Sequence, residues 1–180
     1  MEPTDQQLVK RVLGGQTEEF RSLVERHQPA VFRVAWGLLG NREEACDVTQ
    51  EVFLSAFANL SSYDASRAAM STWLITFARN RCLNLLARRR PITSIEPDSI
   101  GEAPQSDPIV TQEIAEQLDR ALAALPVDQR LAFLLAEIEE IPYAEIARIQ
   151  SISIGTVKSR IHRAKRRLRS LLEPTTKEML

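Results

Sequence analysis

PYAEIARIQSISIGTVKSRIHRAKRRLRSLL, residues 142–172, decides how this chain is read. Val157, Ile161, Ala164, Leu168 and Leu171 recur at i, i+4, i+7, i+11 and i+14, which is one face of an α-helix. The other face and its flanks are basic: Lys158, Arg160, Arg163, Lys165, Arg166, Arg167 and Arg169, with no Asp or Glu between Gly155 and Leu172. Just upstream, Tyr143, Ile146, Ala147 and Ile149 give a shorter helix an apolar side, and Pro142 suits its first turn, where no N–H is needed. Between the two lies Gln150-Ser151-Ile152-Ser153, with Ser153 placed to cap the basic helix. The layout predicts a helix-turn-helix. In that motif the second helix enters the major groove with its N-terminal residues at base edges, so Thr156, Lys158, Ser159, His162 and Arg163 are the candidate readers. Lys165, Arg166 and Arg169 then fall near phosphates. The competing account is a solvated basic face on an ordinary bundle helix. Charge of one sign, opposite an apolar stripe and following a turn of this length, favours nucleic acid.

The rest of the composition is consistent with binding surfaces rather than a polycation. A chain of 180 residues with net charge -1 holds one large or two small domains. Its charge is segregated: Arg79, Arg81, Arg88, Arg89 and Arg90 form a second basic block, while Glu96, Asp98, Glu102, Asp107, Glu113 and Glu116 fall in a stretch without Lys or Arg. Basic surfaces joined by an acidic connector are expected from that pattern, with some self-masking between them. Six Gly and few alternating apolar/polar runs predict an all-α protein. Cys46 and Cys82 are isolated, with only His27 and His162 as further metal-type ligands, which argues for structural or incidental thiols and against zinc. The N-terminal MEPTDQQLVKRV has no apolar signal core, and no stretch approaches about 20 apolar residues, so a cytosolic protein without a membrane span is expected.

From the N-terminus, Leu8, Val9, Val12 and Leu13 predict a short helix ended by Gly14-Gly15. Thr17 is placed to cap the next helix, whose buried side is Phe20, Leu23, Val24, Val31, Val34 and Ala35, with Pro29 expected to kink or divide it and Gly37 and Gly40 marking its end. A third helix opens at Asn41-Arg42-Glu43-Glu44 in a variant of the capping box. Cys46, Phe53, Phe57 and Leu60, with Val48 and Val52, are assigned to its core side. Asp47, Gln50, Glu51 and Leu54, at i, i+3, i+4 and i+7, make a separate acidic strip with an apolar end; on these residues alone a solvated helix face is the better reading, and docking against a basic partner helix is the alternative. After the polar loop Ser61–Arg67 a fourth helix turns Met70, Leu74, Phe77, Ala78 and Leu85 inward, with Trp73 beside them. Its Asn80, Asn84 and Arg88, with Arg81 adjacent, lie near loop residue Tyr63, a combination suited to single-stranded bases; Tyr63 alone also reads as a surface-anchored core aromatic. PITSIEPDSIGEAPQSDPIV, 91–110, is a linker by composition, and Asp107-Pro108 looks like the start of a further helix. That helix runs through Ile114, Leu118, Ala121, Leu122 and Leu125, and after Pro126 another follows through Leu131, Phe133, Leu134, Ala136 and Ile138.

Four stretches together resemble one family. DVTQEVF (47–53), STWLITFARNRCLNLLARRRP (71–91), LDRALAALPVDQRLAFLLAEIEEIPYAEIA (118–147) and GTVKSRIHRAKRRLRSLL (155–172) are similar, in order and spacing, to the extracytoplasmic-function (group IV) sigma factors of bacterial RNA polymerase. The resemblance implies two small helical domains on a flexible acidic tether: a sigma-2-like domain at 1–90, a linker at 91–112, a sigma-4-like helix-turn-helix domain at 113–173 and a tail at 174–180. It implies that Asp47, Gln50, Glu51 and Leu54 bind the β′ clamp helices of core polymerase. Tyr63, Asp64, Ser66, Arg67 and Asn80 would capture bases of the -10 element, with Arg79, Arg81, Asn84 and Arg88 on flanking DNA. Thr156, Lys158, Ser159, Arg160, His162, Arg163, Lys165 and Arg166 would bind the duplex -35 element, and the same domain would pack on the β flap. No cofactor and no catalytic site are implied, and an anti-sigma factor, through which the protein would be tethered indirectly to a membrane, is an expected partner. Three departures stand out: Gln150-Ser151 where the family often has Leu-Gly, Pro142 where Ser often precedes Tyr143, and Tyr63-Asp64-Ala65 in place of the frequent Phe-Arg-Gly. A stand-alone dimeric helix-turn-helix regulator and a helical interaction module are the other readings, and each leaves one set of motifs without a purpose.

Overall fold

The computed structural model describes residues 2–89 and 110–176, and all regular structure among them is helical. Most of the expected linker, Asp107-Pro108 and the last four residues lie outside the described residues, as does the side chain of Ile114. Two compact units form, Met1–Ala35 with Glu43–Arg90, and Trp36–Arg42 with Pro91–Leu180.

In the first unit, α1 (Asp5–Leu13) opens with a capping box: Gln7 N–H donates to Thr4 Oγ1 at 3.3 Å, and Thr4 N–H donates to Gln7 Oε1 at 2.9 Å. It ends at Gly14-Gly15 as the sequence suggests, with Gly15 at φ +101° taking the left-handed conformation. Asp5 ties α1 to α2 (Phe20–Leu39), because its two oxygens take Arg26 Nη1 at 2.6 Å and Nε2 of the buried His27 at 3.0 Å. Thr17 is not the cap of α2. It opens a tight turn, Thr17–Glu19, held to α1 by an Arg11–Glu19 ion pair at 3.0 Å. Nor does Pro29 divide α2, which is unbroken for 20 residues. The missing bond and ring clash cost about 3 kcal/mol, whereas Leu23, Val31 and Val34 on that helix are each fully buried, at roughly 1.5–3 kcal/mol apiece. Gly37 lies inside α2, and Gly40, at φ +66°, follows its end.

α3 (Arg42–Ala58) buries Ala45, Val48, Thr49, Val52, Phe53 and Ala56. Two residues assigned to the core, Cys46 and Phe57, are therefore outside it: Cys46 is exposed, and Phe57 is 45 % exposed. Small Ala45 and Ala56 and the hydroxyl of Thr49, which donates to Ala45 O at 2.7 Å, let the helix lie close on a face that bulk alone does not mark. α4 (Met70–Arg88) buries Met70, Thr72, Leu74, Ile75, Ala78 and Cys82, while Phe77 and Leu85, expected inward, are half-buried.

The second unit holds α5 (Val110–Ala123), α6 (Val127–Phe133), α7 (Tyr143–Gln150) and α8 (Ile154–Thr176). Arg130, 8 % exposed, donates through Nη2 to the carbonyls of Ala123 and Leu125 at 2.6 and 3.1 Å, closing the α5–α6 corner. α6 passes into a π turn, Leu134–Ile138, closed by Glu139 N–H on Leu134 O at 3.1 Å. The extra residue in such a turn advances the following side chains by about 100°. Ile138, expected in the core, is thereby turned out to 46 % exposure, and Phe133 is half-buried.

Candidate nucleic-acid interface

α7 ends at a corner without glycine. Ser151 sits in the left-handed region at φ 55°, ψ 46°, and Ile152 N–H reaches back to Ala147 O at 3.0 Å, the wrapping bond of a Schellman-type stop. Ser153 then caps α8, accepting from Thr156 N–H at 3.2 Å and sharing a 2.9 Å hydroxyl bond with Thr156. Pro142 immediately precedes the first residue of α7. Val157, Ile161, Ala164 and Leu168 are all buried, so the apolar stripe is the packed side of α8; Leu171, at 41 %, is not.

The predicted readers divide by what the fold does with them. Lys158, His162, Arg163 and Arg166 are exposed, and Thr156 and Ser159 are half-buried near the start of the helix. Arg163 Nη2 donates to Ser159 Oγ at 3.1 Å, so this pair forms one hydrogen-bonding unit. Two cations are paired with carboxylates of other elements instead. Lys165 Nζ lies 2.7 Å from Glu137, and Arg160, only 21 % exposed, meets Asp128 at 2.8 Å and bonds Gln150 Oε1. Arg160, expected at the -35 DNA, is thus turned toward α6 and α7. Sequence reading missed Asp128, Glu137 and Gln150 as partners, since each lies a turn or more away in another element.

In the first unit Asp47, Gln50, Glu51 and Leu54 are all exposed along α3, as their spacing requires. Gln50 and Leu54 also line an apolar groove of about 390 Å³ with Phe20, Val24, Phe53 and Phe57, where Phe20 and Phe57 meet edge-on at 5.0 Å. The sequence does not mark that groove, because the size and spacing of Phe57 assign it to the core. Glu51 is met by Arg81 of α4 at 3.4 Å.

The loop before α4 is tied down rather than free. Asp64 Oδ1 accepts from Ser66 N–H at 2.9 Å and Ser66 Oγ at 2.7 Å, and these bonds hold its carboxyl below the ordinary 3.8. Arg67 Nε makes only a long ion pair with the same carboxylate, at 4.0 Å. Tyr63 donates to Ala68 O at 3.2 Å and packs on Trp73 with ring centres 5.3 Å apart, so it is the surface-anchored aromatic. Burial first, and then the nearby carboxylates of Asp5 and Asp64, push the Tyr63 phenol up. Asn80, Arg81, Asn84 and Arg88 are exposed on α4, and Arg79 bonds Asn80 Oδ1 at 2.9 Å. Among the described residues no group of His, Cys, Asp and Glu is arranged to hold a metal, and no helix is long and apolar enough to cross a membrane.

These two surfaces coincide with two known sequence families. Residues 23–92 match the family described as Sigma-70 region 2, and residues 112–168 match Sigma-70, region 4. The ECF RNA polymerase sigma factor SigW of Bacillus subtilis is 29 % identical over 185 residues, covering 96 % of this chain and 98 % of its own. The ECF RNA polymerase sigma-E factor of Escherichia coli K12 is 33 % identical over 184 residues, 95 % of each chain. Among solved structures, the sigma factor RpoE of Bartonella quintana, crystallised with the anti-sigma factor NepR, superposes with a TM-score of 0.75 at 26 % identity, over 87 % of this chain and 98 % of that one. With both regions present in order and full-length relatives at this identity, the chain belongs to the extracytoplasmic-function sigma factors of bacterial RNA polymerase, in the sigma-70 family.

Proposed function

We propose that the chain acts as a promoter-specificity subunit through three surfaces: the α3 strip on polymerase, the α4 face with its preceding loop on the -10 element, and α8 on the -35 element. The observation that carries this is α8, where four apolar side chains are buried while Lys158, His162, Arg163 and Arg166 remain exposed on the side that leaves the domain. Such a helix supplies sequence-independent phosphate attraction along its length and hydrogen-bonding groups at its start. In the first unit, Asp47, Gln50, Glu51 and Leu54 offer a partner helix both an acidic edge and an apolar anchor, and Leu54 is 72 % exposed without being needed for the core. Asn80, with Asp64, Ser66 and Arg67 of the preceding loop and the Tyr63–Trp73 pair as its floor, would meet extruded non-template bases, and Asn84 and Arg88 would meet the flanking DNA. Holding a flipped base must offset an unstacking cost of a few kcal/mol.

On this reading the chain supplies no catalytic group, and polymerase performs all the chemistry. It works in the bacterial cytoplasm and is silenced by an anti-sigma factor covering the same exposed faces, which is also its route to a membrane. The domains are taken as 1–90 and 113–173, a division supported by the matches to sigma region 2 at 23–92 and region 4 at 112–168.

The test is run-off transcription with purified bacterial core polymerase on a pool of genomic promoter fragments. Transcripts should appear only with the protein and disappear with the Gln50→Ala/Leu54→Ala double variant. Both positions are exposed, and neither disturbs the Glu51–Arg81 pair. No transcript, together with tight duplex binding by a dimer of the protein alone, would transfer the case to a stand-alone regulator.

A further inference from the structure

Arg160 of α8 is held by two other helices of its domain at once. Its guanidinium meets Asp128, in the first turn of α6, at 2.8 Å, and bonds Gln150 Oε1, on the last residue of α7. Gln150 is an unusual choice for its place. The side chain is 4 % exposed, and its Nε2 is buried without a hydrogen-bond partner. A half-satisfied buried amide is costly, and its one bond is the one to Arg160. The next residue is Ser151, held left-handed without glycine at the corner that sets the angle between α7 and α8.

We propose that Asp128 and Gln150 are positioning residues for α8, acting through Arg160, whose guanidinium is an internal strut and not a DNA contact. The strut meets α8 midway along its reading segment, between Ser159 and His162, so it fixes the depth and rotation at which Thr156, Lys158 and Arg163 are presented. The inference rests on the reading of α8 as the -35 helix.

Electrostatics provides a test of sign. Asp128→Asn removes a negative charge close to a DNA-binding helix, so by charge alone it strengthens DNA binding. A positioning role requires the opposite. Holoenzyme made from the full chain and core polymerase is assayed on a promoter recovered in the run-off experiment, with its -35 element intact or scrambled, across a KCl series. Asp128→Asn and Arg160→Gln are each expected to lower output from the intact promoter about three- to fivefold, with no loss on the scrambled one. The double variant should be no worse than either single variant, Asp128→Glu should restore output, and the salt dependence should keep its wild-type slope. The inference is overturned if Arg160→Gln reduces that slope by about one phosphate contact while Asp128→Asn is neutral or improved. It is equally overturned if both promoters lose output together with a lower melting temperature, which is loss of folding alone. Wild-type protein that yields no transcript sinks the sigma reading of α8 and this inference with it; an active wild type with an indifferent Asp128→Asn sinks only the inference.

Discussion

Ser151→Gly is expected to stabilise the second unit. Ser151 lies at φ 55°, ψ 46° and is exposed, so replacing it changes the conformational cost and little of the packing. An L-residue in the left-handed region costs roughly 1–2 kcal/mol through the clash of Cβ with the carbonyl. Glycine removes that term but enlarges the unfolded ensemble, which offsets roughly 0.4–1 kcal/mol. The net gain is about 0.5–1 kcal/mol, or about 3–6 °C in Tm for a domain of this size. Calorimetry or circular dichroism on the full chain reads it as an upward shift of one transition. Gly15→Ala provides the mirror experiment: φ is +101°, yet an added Cβ meets nothing within 4 Å, so a loss there is conformational and not steric. An unchanged or lower Tm for Ser151→Gly, or an unaffected Gly15→Ala, would refute the conformational argument for both corners.

Three further outcomes follow from single side chains. Cys82 is buried and its thiol is pushed up to about 12, chiefly by desolvation, while Cys46 is exposed; iodoacetamide at pH 8 should label Cys46 alone in the native protein and both residues in urea. Burial, and then Glu116, raise the carboxyl pKa of Asp119, so its folded form favours the proton: stability is greatest below the unfolded value of 3.8 and falls as pH rises through the folded value. Asp119→Asn should therefore raise the urea midpoint at pH 7 and leave it nearly unchanged at pH 3. Arg130→Ala leaves the Ala123 and Leu125 carbonyls without their donor and opens a cavity, and a loss of about 3 kcal/mol in urea unfolding is expected; less than about 1 kcal/mol would show that the corner closes without it.

Local signals were legible where one element carries them. The Ser153 cap, the buried stripe of α8, the stop at Gly15 and the exposed strip from Asp47 to Leu54 all depend on residues within about two turns of each other, and spacing alone identifies such features. Faces failed where size competed with fit. In α3 the bulky Phe57 suggests a core position, but the buried side is the one bearing Ala45 and Ala56, and Phe57 lines a groove with Gln50 and Leu54. In α6 the π turn rotated Ile138 outward, and no pattern of apolar residues announces a turn of that kind.

The all-helical class and the one-sided basic face of the last helix were determined by the sequence itself, because they rest on periodicity, caps and charge of one sign within continuous segments, and the family was legible in four motifs that stand in order along the chain. Which cations of α8 remain available was decided only by tertiary structure. Arg160 and Lys165 are as basic in the sequence as Lys158 and Arg163, but folding brings Asp128 and Glu137 within 2.8 and 2.7 Å of them. A carboxylate some thirty residues away leaves no mark on local spacing; it matters once packing of α6 against α8 sets the two charges side by side.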